Sequence, residues 1–97
     1  MFTITFTQSA LDDVASLKKA EQTTVIAVVE RQLTTEPLKE TRNRKPLTDN
    51  PLASWELRAG DLRVFYDVDE AASEVLVKAV GVKEHNKLFI RGKEFKL

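Results

Sequence analysis

The chain has 97 residues, no cysteine, one histidine and a formal net charge of zero, with 42% hydrophobic and 31% charged residues. This composition predicts one globular domain over residues 1–97 and excludes disulfides and thiolate chemistry. No His/Asp/Glu cluster has metal-ligand spacing, and no apolar run approaches the ~20 residues that span a bilayer. We therefore expect a cytoplasmic protein with no metal, no cofactor and no membrane segment.

The charge is unevenly distributed along the chain. Two basic stretches, residues 39–45 and 83–97, flank an acidic segment at 61–74. Overall neutrality argues against a long-range field that would draw the protein onto nucleic acid. A local phosphate site remains compatible with it, because a few clustered cations suffice.

The first third of the chain predicts a strand followed by two helices. Residues 2–6, FTITF, alternate apolar and polar side chains, as a half-buried strand does. Ser9 is the expected N-cap of a first helix that ends near Ala20. A second helix is expected from about Glu21 to Thr35, because Pro37 prevents its continuation. The stretch 39–54 is expected to be a polar loop.

The second half predicts antiparallel strands. In WELRAGDLRVFY, Gly60 marks a turn, and we expect Leu57 opposite Leu62 and Glu56 opposite Arg63. Trp55, Leu57, Leu62, Val64 and Tyr66 then share a buried face, and the charged residues share the other. A two-residue or a four-residue loop preserves this sorting. The strand 75–82 is apolar on both faces, so we expect the tail 88–90 to cover its second face.

This order of elements resembles the RelE/ParE superfamily of bacterial type II toxins. The resemblance rests on Lys-Pro-Leu at 45–47, Trp55, Leu-Arg-Val-Phe-Tyr at 62–66 and Ala-Val-Gly at 79–81. It implies an α+β fold with an N-terminal strand, an αα-hairpin and an antiparallel sheet, and an antitoxin protein as partner. The ribonuclease branch cleaves mRNA on the ribosome by attack of the RNA 2′-hydroxyl. The ParE branch inhibits DNA gyrase without catalysis, and a degenerate member would only bind its antitoxin.

The resemblance also implies site residues for the ribonuclease reading. Arg63 and Lys83 match cations that stabilise the phosphate, and Phe89 falls where RelE has a tyrosine, so that it can stack on a base but cannot transfer a proton. Lys45 stands where YoeB has a glutamate base, and Ser54 and Glu56 stand where RelE has lysines.

The remaining candidates come from the residues themselves. His85 can carry a proton near neutral pH. If RNA is bound, the further candidates for phosphate contact are Arg42, Arg44, Lys45, Arg58 and Lys87. The alternative for Arg63 is an ordinary cross-strand ion pair with Glu56 worth ~0.2–1 kcal/mol, and for Arg58 a solvated turn pair with Asp61.

Overall fold

The computed structural model describes residues 1–96. In that part of the chain the elements are β1 (Thr3–Phe6), α1 (Gln8–Ala15), α2 (Lys19–Leu33), β2 (Arg44–Pro46), β3 (Trp55–Ala59), β4 (Leu62–Asp69), β5 (Glu74–Glu84), β6 (Lys87–Ile90) and β7 (Lys93–Phe95). The predicted order of a strand, two helices and a sheet is confirmed. Three strands were missed. One is β2, which lies within the expected polar loop, and the other two are β6 and β7, which form a C-terminal hairpin where a covering tail was expected. No helix in residues 1–96 is long and apolar enough to cross a membrane.

All strands except β1 form an antiparallel path in the order β2-β3-β4-β5-β6-β7. The first strand, β1, runs parallel to β5, with Thr3 opposite Glu74 and Phe6 opposite Val77. The antiparallel β6 joins the same edge of β5 further along, where Val82 lies opposite Phe89. Residues 78–81 of β5 therefore have no strand partner on that edge.

The helices start and end slightly earlier than expected. Thr7, not Ser9, caps α1, and its hydroxyl accepts a hydrogen bond from the amide of Ala10. Helix α2 buries Val25, Val29 and Leu33 against the sheet, while Ile26 is exposed. The helices cover one face of the sheet, which we call the inner face, and the opposite face is the outer face.

The β3–β4 hairpin has the expected sorting but a different register. Leu57 lies opposite Val64 and Ala59 opposite Leu62, so Gly60 and Asp61 form a two-residue loop. The predicted pairing of Leu57 with Leu62 was thus wrong by a two-residue shift, which leaves every side chain on its expected face. Gly60 has φ +60°, a conformation that glycine adopts without steric cost.

A β-bulge in β5 places its residues differently from a regular strand. Phe65 pairs with Ala79 and Tyr66 with Val77, so Lys78 is the extra residue. Val75, Val77 and Val80 all lie in the inner core, whereas Ala79 belongs to a second cluster on the outer face. A regular strand would place Val77 and Ala79 on the same side, and nothing in this run of apolar residues predicts the bulge.

The outer face is covered as the sequence predicted, but by a folded hairpin. Phe65 and Ala79 pack there against Leu88 and Ala53, with Leu47, Leu52, Ile90 and Phe95 around them. The cover requires Gly81, since an added Cβ would lie 2.7 Å from the carbonyl oxygen of Phe89. Because glycine has no side chain, the backbone of β6 can approach β5 closely at this point.

Candidate functional site

Arg63, the arginine implied by the resemblance, is built into the outer face. Its side chain is only 7% exposed, and its Nη1 donates to the carbonyl oxygens of Gly60 at 2.7 Å and Leu62 at 2.9 Å. Its Nε lies 3.6 Å from Oε1 of Glu56 and has no hydrogen-bond partner within residues 1–96. The guanidinium therefore braces the β3–β4 turn.

The electrostatic surroundings of Arg63 are mixed. Burial lowers the pKa of Arg63 below its usual value, the Arg58 guanidinium lowers it further, and the carboxylates of Glu56 and Asp61 oppose the shift. Arg58 lies directly opposite Arg63 in the hairpin, and it is exposed to solvent. The ion pair with Glu56 that the sequence suggested is present, but along a diagonal instead of directly across the strands.

Lys83 lies on the same face as Arg63 and closer to open space. Arg63 pairs with Gly81 on β5, so Lys83 is its diagonal neighbour at about 7–8 Å between backbone positions. The Lys83 amide donates to the carbonyl of Asp61 at 2.7 Å, which fixes the strand beside the β3–β4 turn. Lys83 borders a cleft of about 270 Å³ that Lys87 and Lys96 also line. We call this the small cleft.

His85 occupies the β5–β6 turn beside the small cleft. His85 and Asn86 have φ values of 51° and 66°, the two left-handed residues that a type I′ hairpin loop requires. The imidazole side chain is exposed. The turn thus places the only histidine of the chain two residues from Lys83 and beside Asn86, which lines the small cleft.

Phe89 lies away from the outer-face cations. It pairs with Val82, while its neighbour Leu88 pairs with Lys83. Because side chains alternate along a strand, Phe89 shares the face of Val82 and not that of Lys83. Lys87 has the same parity as Phe89 but sits at the strand end, where it still borders the small cleft.

The basic stretch before β2 divides into one structural arginine and two exposed cations. Arg44 is buried, and its Nη1 donates to the carbonyl oxygens of Gln32 at 2.6 Å and Glu36 at 2.8 Å. It secures the C-terminal end of α2, so we withdraw it as a phosphate contact. Arg42 and Lys45 are exposed, and Lys45 lies opposite Glu56 on the outer face.

A larger cleft of about 650 Å³ lies between α1, β5 and the C-terminal hairpin, and sequence reasoning missed it. We call it the large cleft. Its lining includes Leu52, Lys78, Ile90, Arg91 and Lys93, together with all of β7. No local pattern marks it, because its walls come from four separated segments.

Asp13 of α1 is a second residue that the sequence did not single out. The carboxyl is 1% exposed, its Oδ2 accepts from the amide of Val80 at 3.0 Å, and its Oδ1 lies 2.8 Å from Nε of Arg91. Burial raises the pKa of Asp13, and the Val80 amide and Arg91 oppose the shift. Asp13 thus supplies the partner that β5 lacks between β1 and β6.

No group of three or more His, Cys, Asp or Glu side chains within residues 1–96 has the geometry of a metal site. The chemistry available on the outer face is that of lysine and arginine charges, and the exposed imidazole of His85 lies in the β5–β6 turn. Such groups bind and neutralise phosphate oxygens.

No protein-family model and no curated protein matches the chain by sequence. Solved structures do match. The toxin–antitoxin complex RelBE2 from Mycobacterium tuberculosis aligns with a TM-score of 0.74 and 27% identity, over 84% of this chain and 98% of that chain.

Two more distant structures share the fold. The archaeal RelE–RelB complex from Pyrococcus horikoshii aligns with a TM-score of 0.63 and 16% identity, over 87% of this chain and 97% of that chain. The RelBE toxin–antitoxin complex from E. coli aligns with a TM-score of 0.50 and 19% identity, over 88% of this chain and 100% of that chain. The chain therefore has the fold of the RelE-family toxins.

Proposed function

We propose that this chain is the toxin of a toxin–antitoxin pair, and that it inhibits translation by cleaving mRNA on the ribosome. The observation that carries the toxin role is the match to the RelBE2 complex over 84% of this chain and 98% of that chain. The partner under this proposal is a cognate antitoxin protein. Action on the ribosome would place the chain in the cytoplasm.

The RNA target is supported by the cations that gather beside the small cleft. Lys83 and Lys87 line it, and His85 lies in the turn that joins their strands. In the proposed reaction the 2′-oxygen of the RNA attacks the adjacent phosphorus, and the bond to the 5′-oxygen of the next nucleotide breaks. Lys83 stabilises the charge on the phosphate oxygens, and His85 carries a proton between these two oxygens.

Arg63 has an indirect role in this proposal. Its guanidinium is fixed by two carbonyl oxygens and by Glu56, so it cannot move to a substrate without releasing the β3–β4 turn. It stabilises the β3–β4 turn, to which the backbone amide of Lys83 is hydrogen-bonded, and it adds positive potential to the outer face.

The experiment is induction of the chain alone in bacteria, with growth and mRNA cleavage measured together. We expect growth arrest with new mRNA 5′ ends, and loss of both in Lys83→Ala and His85→Ala variants. Lys19→Ala, an exposed lysine of α2 on the other side of the molecule, is the matched control and should remain toxic. Growth arrest that persists in the Lys83→Ala variant would exclude the assigned phosphate role.

A second candidate function is inhibition of DNA gyrase without catalysis, as in the ParE branch. The specific observation in its favour is that Arg63 is buried and held by Glu56 and two carbonyl oxygens, so its guanidinium is not free to contact a phosphate. A supercoiling assay with purified gyrase decides between the two. A folded chain that neither arrests growth nor inhibits gyrase would be a degenerate member that only binds its antitoxin.

A further inference from the structure

The two clefts adjoin along the last strand of the sheet. Glu94 and Phe95 border both the large cleft of about 650 Å³ and the small cleft of about 270 Å³. Within residues 1–96, β7 is the final strand of the path and pairs only with β6. The two clefts therefore adjoin at Glu94 and Phe95, and we call the pair together the β7 groove. Lys83 borders the small-cleft part of it.

The β7 groove concentrates positive charge in a chain whose net charge is zero. Six cations line it against two carboxylates, Asp13 and Glu94: Lys78, Lys83, Lys87, Arg91, Lys93 and Lys96. Arg91 is paired with Asp13 and Lys78 lies 3.3 Å from Asp67. The other four lysines have no ion-pair partner within the described residues, so their charge is available to an anionic ligand.

The groove also offers an apolar surface among these charges. Phe95 is half-buried and lies where the two clefts meet, with Ile90 and Leu52 in the wall of the large cleft. A positive groove that tracks a phosphate backbone, combined with an aromatic side chain on which a base stacks, is the usual design of single-strand binding surfaces.

We infer that the β7 groove binds a short segment of single-stranded RNA and continues the Lys83 site towards the C-terminal hairpin. The inference rests on the proposed function, because it takes RNA as the class of target. Lysines at both ends of the groove hold the phosphates, and Phe95 stacks on a base between them. An acidic peptide is the competing occupant. RNA is favoured because the groove includes Lys83, to which the proposed function gives the phosphate contact.

The test uses the intact chain and an eight-nucleotide uridine RNA with a fluorescent label, followed by anisotropy over a range of salt concentrations. Four engaged lysines predict a log–log slope of affinity against salt of about −3. The double variant Lys93→Ala/Lys96→Ala should flatten that slope by about 1.4. The matched control Lys18→Ala/Lys19→Ala removes the same charge from the helical side and should leave the slope unchanged.

Phe95→Leu keeps an apolar side chain in the outer cluster and removes the stacking surface. We expect RNA affinity to fall about 5- to 150-fold, the equivalent of the ~1–3 kcal/mol that one stacked base contributes. Thermal unfolding of the variant checks that it is folded. Independently, 4-thiouridine RNA should crosslink to residues 90–96 of the wild-type chain.

Three results would overturn the inference: unchanged salt slopes in the Lys93/Lys96 variant, crosslinks confined to other segments, or displacement of the RNA by decaglutamate at equal charge concentration. The last would assign the groove to an acidic peptide. Failure here is separable from failure of the proposed function. If the chain cleaves mRNA in cells and its Lys93/Lys96 variant binds RNA normally, the proposed function stands and only the RNA-binding role of the β7 groove is refuted.

Discussion

Replacing Asp13 by alanine is expected to destabilise the chain, although Asp13 belongs to no proposed active site. Its Oδ2 is the acceptor for the amide of Val80, in the part of β5 that no strand pairs on that edge. The same carboxyl contacts Arg91 in the β6–β7 turn. One side chain therefore joins α1, the central strand and the C-terminal hairpin.

The size of the effect follows from these contacts. Leaving the buried Val80 amide without an acceptor costs about 1–3 kcal/mol. The pair with Arg91 adds little, about 0–1 kcal/mol, because that arginine is 49% exposed and screened by water. Alanine is the better helix former, which offsets up to about 0.7 kcal/mol. We expect a net loss of about 1–3 kcal/mol in the free energy of unfolding.

The assay is urea unfolding at pH 7 with the Asp12→Ala variant as control. Asp12 is the exposed neighbour of Asp13 on the same helix, so the control removes the same charge without touching β5. A loss of 1 kcal/mol corresponds to roughly 4–8 °C in Tm for a chain of this size. Equal stability of the Asp13→Ala and Asp12→Ala variants would refute the reasoning.

The pH dependence gives an independent check on Asp13. Its native pKa is raised by burial, so the native state holds this proton more tightly than the unfolded chain does. The stability that this proton confers is present below the unfolded pKa and is lost as pH rises through the native pKa. Asp13→Asn keeps an acceptor for the Val80 amide and cannot titrate, so this variant should lose that decline.

The remaining predictions concern residues that hold the fold around the site. Arg44→Ala should lower the free energy of unfolding in urea by about 2 kcal/mol or more, because it leaves two carbonyl oxygens at the end of α2 without a donor. The control Arg42→Ala should change it by no more than about 0.5 kcal/mol. Equal effects of the two variants would contradict the structural role given to Arg44. Gly81→Ala should lower Tm by an amount equivalent to about 1–3 kcal/mol, since the new Cβ would lie 2.7 Å from the backbone oxygen of Phe89. An unchanged Tm would argue against the close approach of β6 to β5 at Gly81. Tyr66→Phe should lower the free energy of unfolding in urea by about 0.5–1.5 kcal/mol, because it removes the 2.7 Å hydrogen bond to the Pro37 carbonyl oxygen. Burial also raises the pKa of Tyr66. Spectrophotometric titration should therefore show no phenolate from Tyr66 before the chain unfolds.

Local patterns were sufficient wherever a structural feature depends on neighbouring residues. The alternation in residues 55–66 determines which side chains face the core, and it holds for either loop length. It leaves the register open, because a two-residue shift preserves alternation. The two-residue loop at Gly60 and Asp61 was resolved only by the packing of the whole sheet.

The candidate site depends on both local sequence and packing. Lys83 and His85 are two residues apart, so their closeness along the chain is a property of the sequence. Arg44 was assigned to phosphate because its neighbours are charged, yet its guanidinium lies on the inner face against α2. No signal within residues 39–45 distinguishes that arginine from Arg42.

The sequence by itself determined the order of β1, the two helices and the strands β3 to β5, the sorting of side chains in the β3–β4 hairpin, and the need for a cover on the second face of β5. These depend on the periodicity of apolar side chains, which is a local property. The tertiary structure alone decided the bulge at Lys78, the burial of Asp13 and the groove along β7. Each arises where segments distant in the chain meet, and the free energy of such contacts depends on geometry that no single stretch of residues encodes.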